Sequence, residues 1–61
     1  MYKIIETKIE EGIRLIRVLN KEGIELLYFE EEVKHIPCPD LNFFLVWNMY
    51  KIQCGFFDAL D

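Results

Sequence analysis

The sequence predicts an α+β fold, a three-stranded antiparallel meander with one C-terminal helix, completed by a second copy of the chain. Two similar phrases, Glu11-Gly12-Ile13 and Glu22-Gly23-Ile24, each end a turn and begin a strand. The segments that these turns separate, residues 2–9, 13–19 and 24–30, are predicted as strands, whose side chains point alternately to the two faces of a sheet. Residues 41–54 contain neither Gly nor Pro and are rich in apolar residues, which favours a helix.

The segment Asn20-Lys21-Glu22-Gly23 predicts the second hairpin. Asn favours the first position of a type I turn, and Gly accepts the left-handed conformation that closes a three-residue loop. The resulting cross-strand pairs are Asn20 with Ile24, Val18 with Leu26, Ile16 with Tyr28, and Arg14 with Glu30, the last a pair of opposite charges.

The earlier turn, Glu10-Glu11-Gly12, is interpreted in the same way, with Ile9 opposite Ile13. The strands then cover residues 2–9, 13–19 and 24–30, and their side chains alternate between two faces. One face carries Tyr2, Ile4, Ile16, Val18, Ile24, Leu26 and Tyr28, with Glu6, Lys8, Arg14 and Glu30 towards one end. The other carries Ile5, Ile9, Ile13, Leu15, Leu19, Leu27 and Phe29, with Lys3, Thr7, Arg17, Glu25 and Glu31 among them. Both faces are therefore expected to be largely apolar.

We expect a single domain with a sheet (1–32), a Pro-containing connection (33–39), a helix (40–55) and a tail (56–61). Asp40 suits the N-cap of the helix, and Gly55 suits the position just after its end. The helix has two apolar stripes, which predicts that it is sandwiched. One stripe is Phe43, Val46, Trp47, Tyr50 and Cys54, and the other is Leu41, Leu45, Met49 and Ile52. The alternative is two further strands in this region, giving a small five-stranded all-β barrel.

The chain has more apolar surface than one copy can cover. It has 61 residues, 52% of them hydrophobic, and a domain of this size buries only about 60% of its unfolded surface. One helix covers one face of the sheet, so the other face predicts an interface, most simply in a two-fold homodimer. The predicted contact residues are Ile5, Ile13, Leu15, Leu27 and Phe29. Alternatively, the acidic segment and the tail fold over this face.

The sequence predicts no catalytic residue, metal ion or cofactor. It contains no serine, and its three glycines are assigned to turns and a helix end. His35, Cys38 and Cys54 are the only soft ligands, whereas a structural zinc site usually has four. Two cysteines without a paired motif suggest a reducing, cytoplasmic setting. We expect no signal peptide and no membrane span, because polar residues interrupt the apolar stretch 41–57.

The charge distribution limits the classes of partner that the sequence predicts. The net charge is −4 and no Lys/Arg cluster is present, which argues against direct nucleic-acid binding. The meander brings Glu10, Glu11, Glu30, Glu31 and Glu32 to one end of the sheet. This acidic rim is expected to be either a solvated edge or a docking surface for a basic protein.

The function predicted from these features is that of a small acidic binding or inhibitory protein without enzymatic activity. Accessory regulators, antitoxins and inhibitors encoded by mobile elements are of this general kind. The alternative is an oligomeric protein that binds or sequesters a nucleotide-like ligand. Its pocket would lie between subunits, with Trp47 and Tyr50 stacking on the ligand.

Overall fold

The fold, described for residues 1–58 by a computed structural model, is a three-stranded antiparallel sheet followed by short helices. The strands are β1 (Lys3–Glu10), β2 (Ile13–Leu19) and β3 (Glu25–Phe29), in the order β1-β2-β3. A 3-10 helix (Glu30–His35) follows, and then α1 (Pro39–Trp47) and α2 (Met49–Gln53). The predicted α+β class is confirmed.

The second hairpin forms in the predicted register. Val18 pairs with Leu26, and Ile16 pairs with Tyr28. The side-chain oxygen of Asn20 accepts hydrogen bonds from the backbone N–H groups of Glu22 at 2.9 Å and Ile24 at 2.8 Å. The asparagine therefore stabilises the turn through its side chain as well as its backbone.

The first hairpin differs from the prediction by one residue. Glu10, rather than Ile9, pairs with Ile13, so the turn contains only Glu11 and Gly12. Their φ angles are 53° and 79°, as in a two-residue type I′ turn. The predicted register is wrong because it placed only the glycine in the left-handed region, whereas Glu11 adopts that conformation as well.

A β-bulge at Ile5 corrects this one-residue slip. Ile4 pairs with Val18, whereas Glu6 pairs with Arg17, so one extra residue lies in β1. Because side chains alternate, the extra residue reverses the two faces for the rest of the strand. The predicted faces are consequently wrong for Thr7 and Ile9, which lie on the helix side, and for Glu6 and Lys8, which lie on the outer side.

The helical region is interrupted and begins earlier than predicted. Cys38 is the N-cap and Pro39 the first helical residue, a position that suits proline, so the prediction of Asp40 as the N-cap is wrong. Asn48 separates α1 from α2, and its side-chain amide donates to the carbonyl of Phe44 at 2.8 Å. A side-chain amide that bonds the preceding turn competes with regular helical geometry.

The end of α2 agrees with the prediction. Gly55 has φ 81° and its N–H donates to the carbonyl of Ile52 at 3.1 Å. The next N–H, of Phe56, donates to the carbonyl of Lys51 at 3.0 Å. These two bonds are the pair expected at a helix end with a left-handed glycine, and they turn the chain back towards the sheet.

The core lies on one side of the sheet. Its buried residues are Ile4, Ile16 and Val18 from the strands, Val33 and Ile36 from the connection, and Leu41, Leu45 and Ile52 from the helices. Val33 belongs to the 3-10 helix, which occupies part of the predicted extended connection. Residues 30–58 leave Leu27 and Phe29 exposed on the outer side, so the described part of the chain does not fold over that face. Residues 59–61 of the predicted tail lie outside the described residues.

The residues after α2 attach to the free edge of β1. The backbone N–H of Thr7 donates to the carbonyl of Phe57 at 2.9 Å, and Thr7 and Asp58 form a parallel bridge. The buried Thr7 hydroxyl donates to the Asp58 carboxylate at 2.5 Å, and Arg14 donates to the same carboxylate oxygen. These contacts cover part of an edge that would otherwise be open to strand addition.

Candidate protein-binding surfaces

The outer side of the sheet, here called the open sheet face, combines apolar and charged side chains. Of the five residues predicted as an oligomer contact, the strand register places Ile13, Leu15, Leu27 and Phe29 on this face, and Ile5 is the unpaired bulge residue of β1. Leu15 is half-buried and the other four predicted residues are 37–58% exposed. Leu19 also lies on this face and is half-buried. The bulge and the short first turn add Glu6, Lys8 and Glu10 to the same face, beside Lys3, Arg17 and Glu25.

Five charged residues of the open sheet face are paired with one another. Arg17, on the central strand, lies 2.5 Å from the carboxylate of Glu6 and 2.8 Å from that of Glu25. Lys8 lies 3.0 Å from Glu10. The hydrogen bonds from Arg17 lower the pKa of the Glu25 carboxyl group. The five charged residues border, with Leu15 and Leu27, a shallow hollow of about 330 Å³.

The acidic rim adjoins the apolar end of this face. Glu10 and Glu11 lie at the first turn, and Glu30 follows Phe29, which faces Leu15 across the sheet. Three rim glutamates have partners within the fold. Glu10 pairs with Lys8, Glu30 lies 3.9 Å from Arg14, and Glu32 accepts a hydrogen bond from the backbone of Phe29 at 2.8 Å. Glu11 and Glu31 have exposed side chains.

The second apolar surface is the outer stripe of the helices, which consists of Phe43, Val46, Trp47 and Tyr50. Its three aromatic residues are 66–79% exposed, and Val46 is 50% exposed. The rings of Phe43 and Trp47 stack, with centroids 5.8 Å apart and an interplanar angle of 20°. Both predicted ligand-stacking residues, Trp47 and Tyr50, therefore lie on an outer surface, and a pocket around them would need a second molecule.

A groove runs beside the outer stripe, between the 3-10 helix and the helical segment. It has a volume of about 340 Å³ and is bordered by Val33, Lys34, Val46 and Met49, with Glu30 and Glu31 at its margin. Asn42 connects the two walls of the groove, because its side-chain amide, on α1, donates a hydrogen bond to the carbonyl of Val33, in the 3-10 helix, at 2.7 Å. The groove is thus an apolar depression with charges of both signs around it.

The residues considered for metal binding or nucleophilic chemistry are dispersed. His35, Cys38 and Cys54 are all exposed, and residues 1–58 contain no group of three or more acidic, His or Cys side chains arranged to hold a metal ion. Cys38 lies at the start of α1, 3.6 Å from the hydroxyl of Tyr2. Hydrogen bonds from the backbone of Leu41 and from this hydroxyl lower the pKa of the Cys38 thiol.

None of the helices in residues 1–58 combines the length and the apolar character needed to cross a membrane. Comparisons with protein-family models, with curated proteins and with solved structures give no match to this chain. The surfaces described above are therefore the basis for any assignment of function.

Proposed function

We propose that this protein acts by binding another protein, without chemistry of its own. The observation that carries the proposal is that apolar surface lies on both outer sides of a two-layer fold, on the open sheet face and on the outer stripe. Exposed apolar patches bordered by polar residues are typical of protein interaction sites.

The open sheet face together with the acidic rim is the proposed partner-binding surface. Its apolar end, at Ile13 and Phe29, adjoins the rim glutamates, so it fits a partner with an apolar patch beside basic residues. Such complementary charges increase association rates and selectivity. The sequence predicts Ile5, Ile13, Leu15, Leu27 and Phe29 as a homodimer contact instead; the negative charge of the adjoining acidic rim favours a basic partner over a second acidic chain.

The conformation of Glu11 supports a contact role for the rim. A residue other than Gly or Asn in the left-handed region costs about 1–2 kcal/mol, and Glu11 has φ 53°. Asn or Gly would form this turn at lower cost. A glutamate at a strained turn position is consistent with selection for its exposed carboxylate rather than for turn stability.

A pair of matched substitutions tests this surface. Partners are captured from a cell extract, identified, purified and titrated against the full chain. Glu11→Lys should weaken binding and reduce its salt dependence, because it reverses a charge at the contact. Glu22→Lys makes the same change in the turn at the opposite end of the sheet and should leave binding nearly unchanged. Leu27→Glu should abolish binding by placing a charge on the apolar part of the face.

Two results would contradict the proposed function. One is a purified partner whose affinity is insensitive to both Glu11→Lys and Leu27→Glu. The other is a large increase in melting temperature with a nucleotide, since a ligand that binds only the folded state stabilises it by mass action. The second result would favour the alternative of a ligand-binding protein with Trp47 and Tyr50 in its pocket.

A further inference from the structure

We propose that a second copy of this chain docks on the outer stripe, through its own outer stripe and the adjoining groove. The proposal extends the proposed function, because it assigns the second of the two apolar surfaces. It concerns Phe43, Val46, Trp47 and Tyr50, which belong to one helical face, and the groove bordered by Val33, Lys34, Val46 and Met49.

The composition of α1 indicates that something covers it. Beyond its first turn this helix is apolar on nearly all sides, with Leu41 and Leu45 buried and Phe43, Val46 and Trp47 exposed. A helix that is apolar all round is normally buried on all sides. An antiparallel sheet, in contrast, commonly has one face in water. The helix is therefore the layer that most requires a covering partner.

The cost of removing charges from water also favours the outer stripe as the self-contact. The stripe has no charged side chain, whereas the open sheet face has Glu6, Lys8, Glu10, Arg17 and Glu25. Burying charges, even paired ones, carries a large desolvation penalty. Each chain also has a net charge of −4, so two copies associate more readily where few charges lie. The stripe itself has none, and the groove beside it has charges of both signs, Lys34 with Glu30 and Glu31.

The exposed area is large enough for a dimer. The three rings, at 66–79% exposure, present on the order of 450 Å² per chain. Two copies thus remove about 900 Å² of ring surface, and a stable interface buries about 1,200–2,000 Å² in total, a difference that Val46 and the groove walls can supply.

A two-fold contact requires projections and depressions on the same surface. The stacked rings of Phe43 and Trp47 project from the helix, and the groove lies directly beside them, with Val46 common to both. Lys34 and Glu31 at the groove provide opposite charges that a two-fold partner can pair. The surface therefore contains both halves of a self-complementary contact, which is why a second copy is the occupant proposed.

Solution mass with matched variants tests the proposal. The full chain, kept reduced so that Cys38 and Cys54 form no disulfide, is measured by light scattering at micromolar concentration. The expected mass is twice the 7.4 kDa of one chain. Trp47→Glu should weaken the dimer about thirtyfold or more, the effect of losing an interface hot spot, and retain the circular dichroism of the fold. Leu27→Glu, on the open sheet face, should leave the dimer intact.

The only tryptophan of the chain is Trp47, so its fluorescence reports on the contact without any substitution. On dilution of the wild-type chain the emission should shift to longer wavelength and quenching by iodide should increase, over the same concentrations at which the mass halves. If Trp47→Glu misfolds, Tyr50→Glu replaces it. A wild-type monomer, a dimer that Leu27→Glu dissociates, or a dimer with unchanged Trp47 emission on dilution would overturn the proposal.

The two proposals fail separately in these experiments. Loss of partner binding in Leu27→Glu with an intact dimer supports both. A wild-type monomer that still binds its partner through the open sheet face and the acidic rim overturns the self-docking proposal alone. A dimer that no purified partner recognises through Leu27 or Glu11 overturns the proposed function alone.

Discussion

The open sheet face and the outer stripe both expose apolar side chains of a single small domain, but only the open sheet face also carries charged side chains that water solvates. On the sheet face, Glu6, Arg17 and Glu25 form ion pairs across all three strands. On the outer stripe, the rings of Phe43 and Trp47 stack and none of the four side chains is charged. Charged side chains keep a surface solvated when no partner is bound. An uncharged aromatic stripe is more stable when another molecule covers it continuously.

The largest change in the free energy of unfolding is expected in α1, where substitutions on its buried side and on its exposed side can be compared. Leu45→Ala removes a fully buried side chain and should lower the free energy of unfolding by about 2–5 kcal/mol. Val46→Ala, at the next position, should change it by about 0.5 kcal/mol or less. Urea unfolding followed by circular dichroism measures both, in the Trp47→Glu background so that self-association does not contribute. Equal losses would mean that the two sides of α1 are not distinct.

The β1 edge of the sheet is the second place to sharpen the comparison, because residues 57–58 cover part of this edge while the open sheet face is uncovered. Asp58→Ala removes the carboxylate that accepts from Arg14 and the buried Thr7 hydroxyl. We expect a loss of about 1–3 kcal/mol, since a buried donor is left unpaired. Hydrogen exchange of the Thr7 amide, which donates to Phe57, should accelerate as well.

Asp40→Ala is the matched control for this change. Asp40 pairs with Lys21 at 3.0 Å with both side chains largely exposed, so its loss should cost about 0.5 kcal/mol or less. If Asp58→Ala proves as mild as Asp40→Ala and leaves Thr7 protected, the contacts of residues 57–58 do not close the β1 edge.

The elements that the sequence predicts correctly are those determined by residues close to one another in the chain. Asn20 and Gly23 fix the second hairpin through turn bonds within five residues. Gly55 ends the helix in the same local way. The bulge at Ile5 has no such signature, because it compensates a slip that originates at Glu11. Its consequence, charges on the outer side of β1, is the main reason that the open sheet face differs from the expected apolar surface.

The division of the helix into a buried and an exposed stripe also depends on distant contacts. Both stripes are apolar, so periodicity alone does not indicate which of them faces the sheet. The aliphatic stripe, with Leu41, Leu45 and Ile52, packs against the strands, and the aromatic stripe remains outside. The attachment of Asp58 to Thr7 and Arg14 is likewise set by tertiary proximity across more than forty positions. None of these features has a short-range pattern in the sequence.

A substitution in the strained turn at the acidic rim should change the free energy of unfolding by a smaller amount, and it should raise it rather than lower it. Glu11→Asn places a residue suited to the left-handed region at φ 53°, and we expect the free energy of unfolding to rise by about 0.5–1 kcal/mol. Glu22→Asn, at a turn position without positive φ, should give no gain. Thermal unfolding compares the two. A gain in stability together with weaker partner binding would show that turn stability is sacrificed for the carboxylate, and no gain would remove that support for the rim.

The smallest change in stability is expected for the ion pairs of the open sheet face, which the outer stripe lacks. Arg17 lowers the pKa of Glu25 below its ordinary value of 4.5, so the folded state favours the ionised carboxylate. This contribution to stability is fully present above pH 4.5 and is lost as the pH falls through the lowered folded-state pKa. Glu25→Gln should therefore flatten the acid side of the stability profile. Trp47→Phe, on the uncharged stripe, should leave that profile unchanged. A Glu25 carboxyl that titrates by NMR at or above its ordinary value would mean that the charges of the open sheet face do not form the network described above.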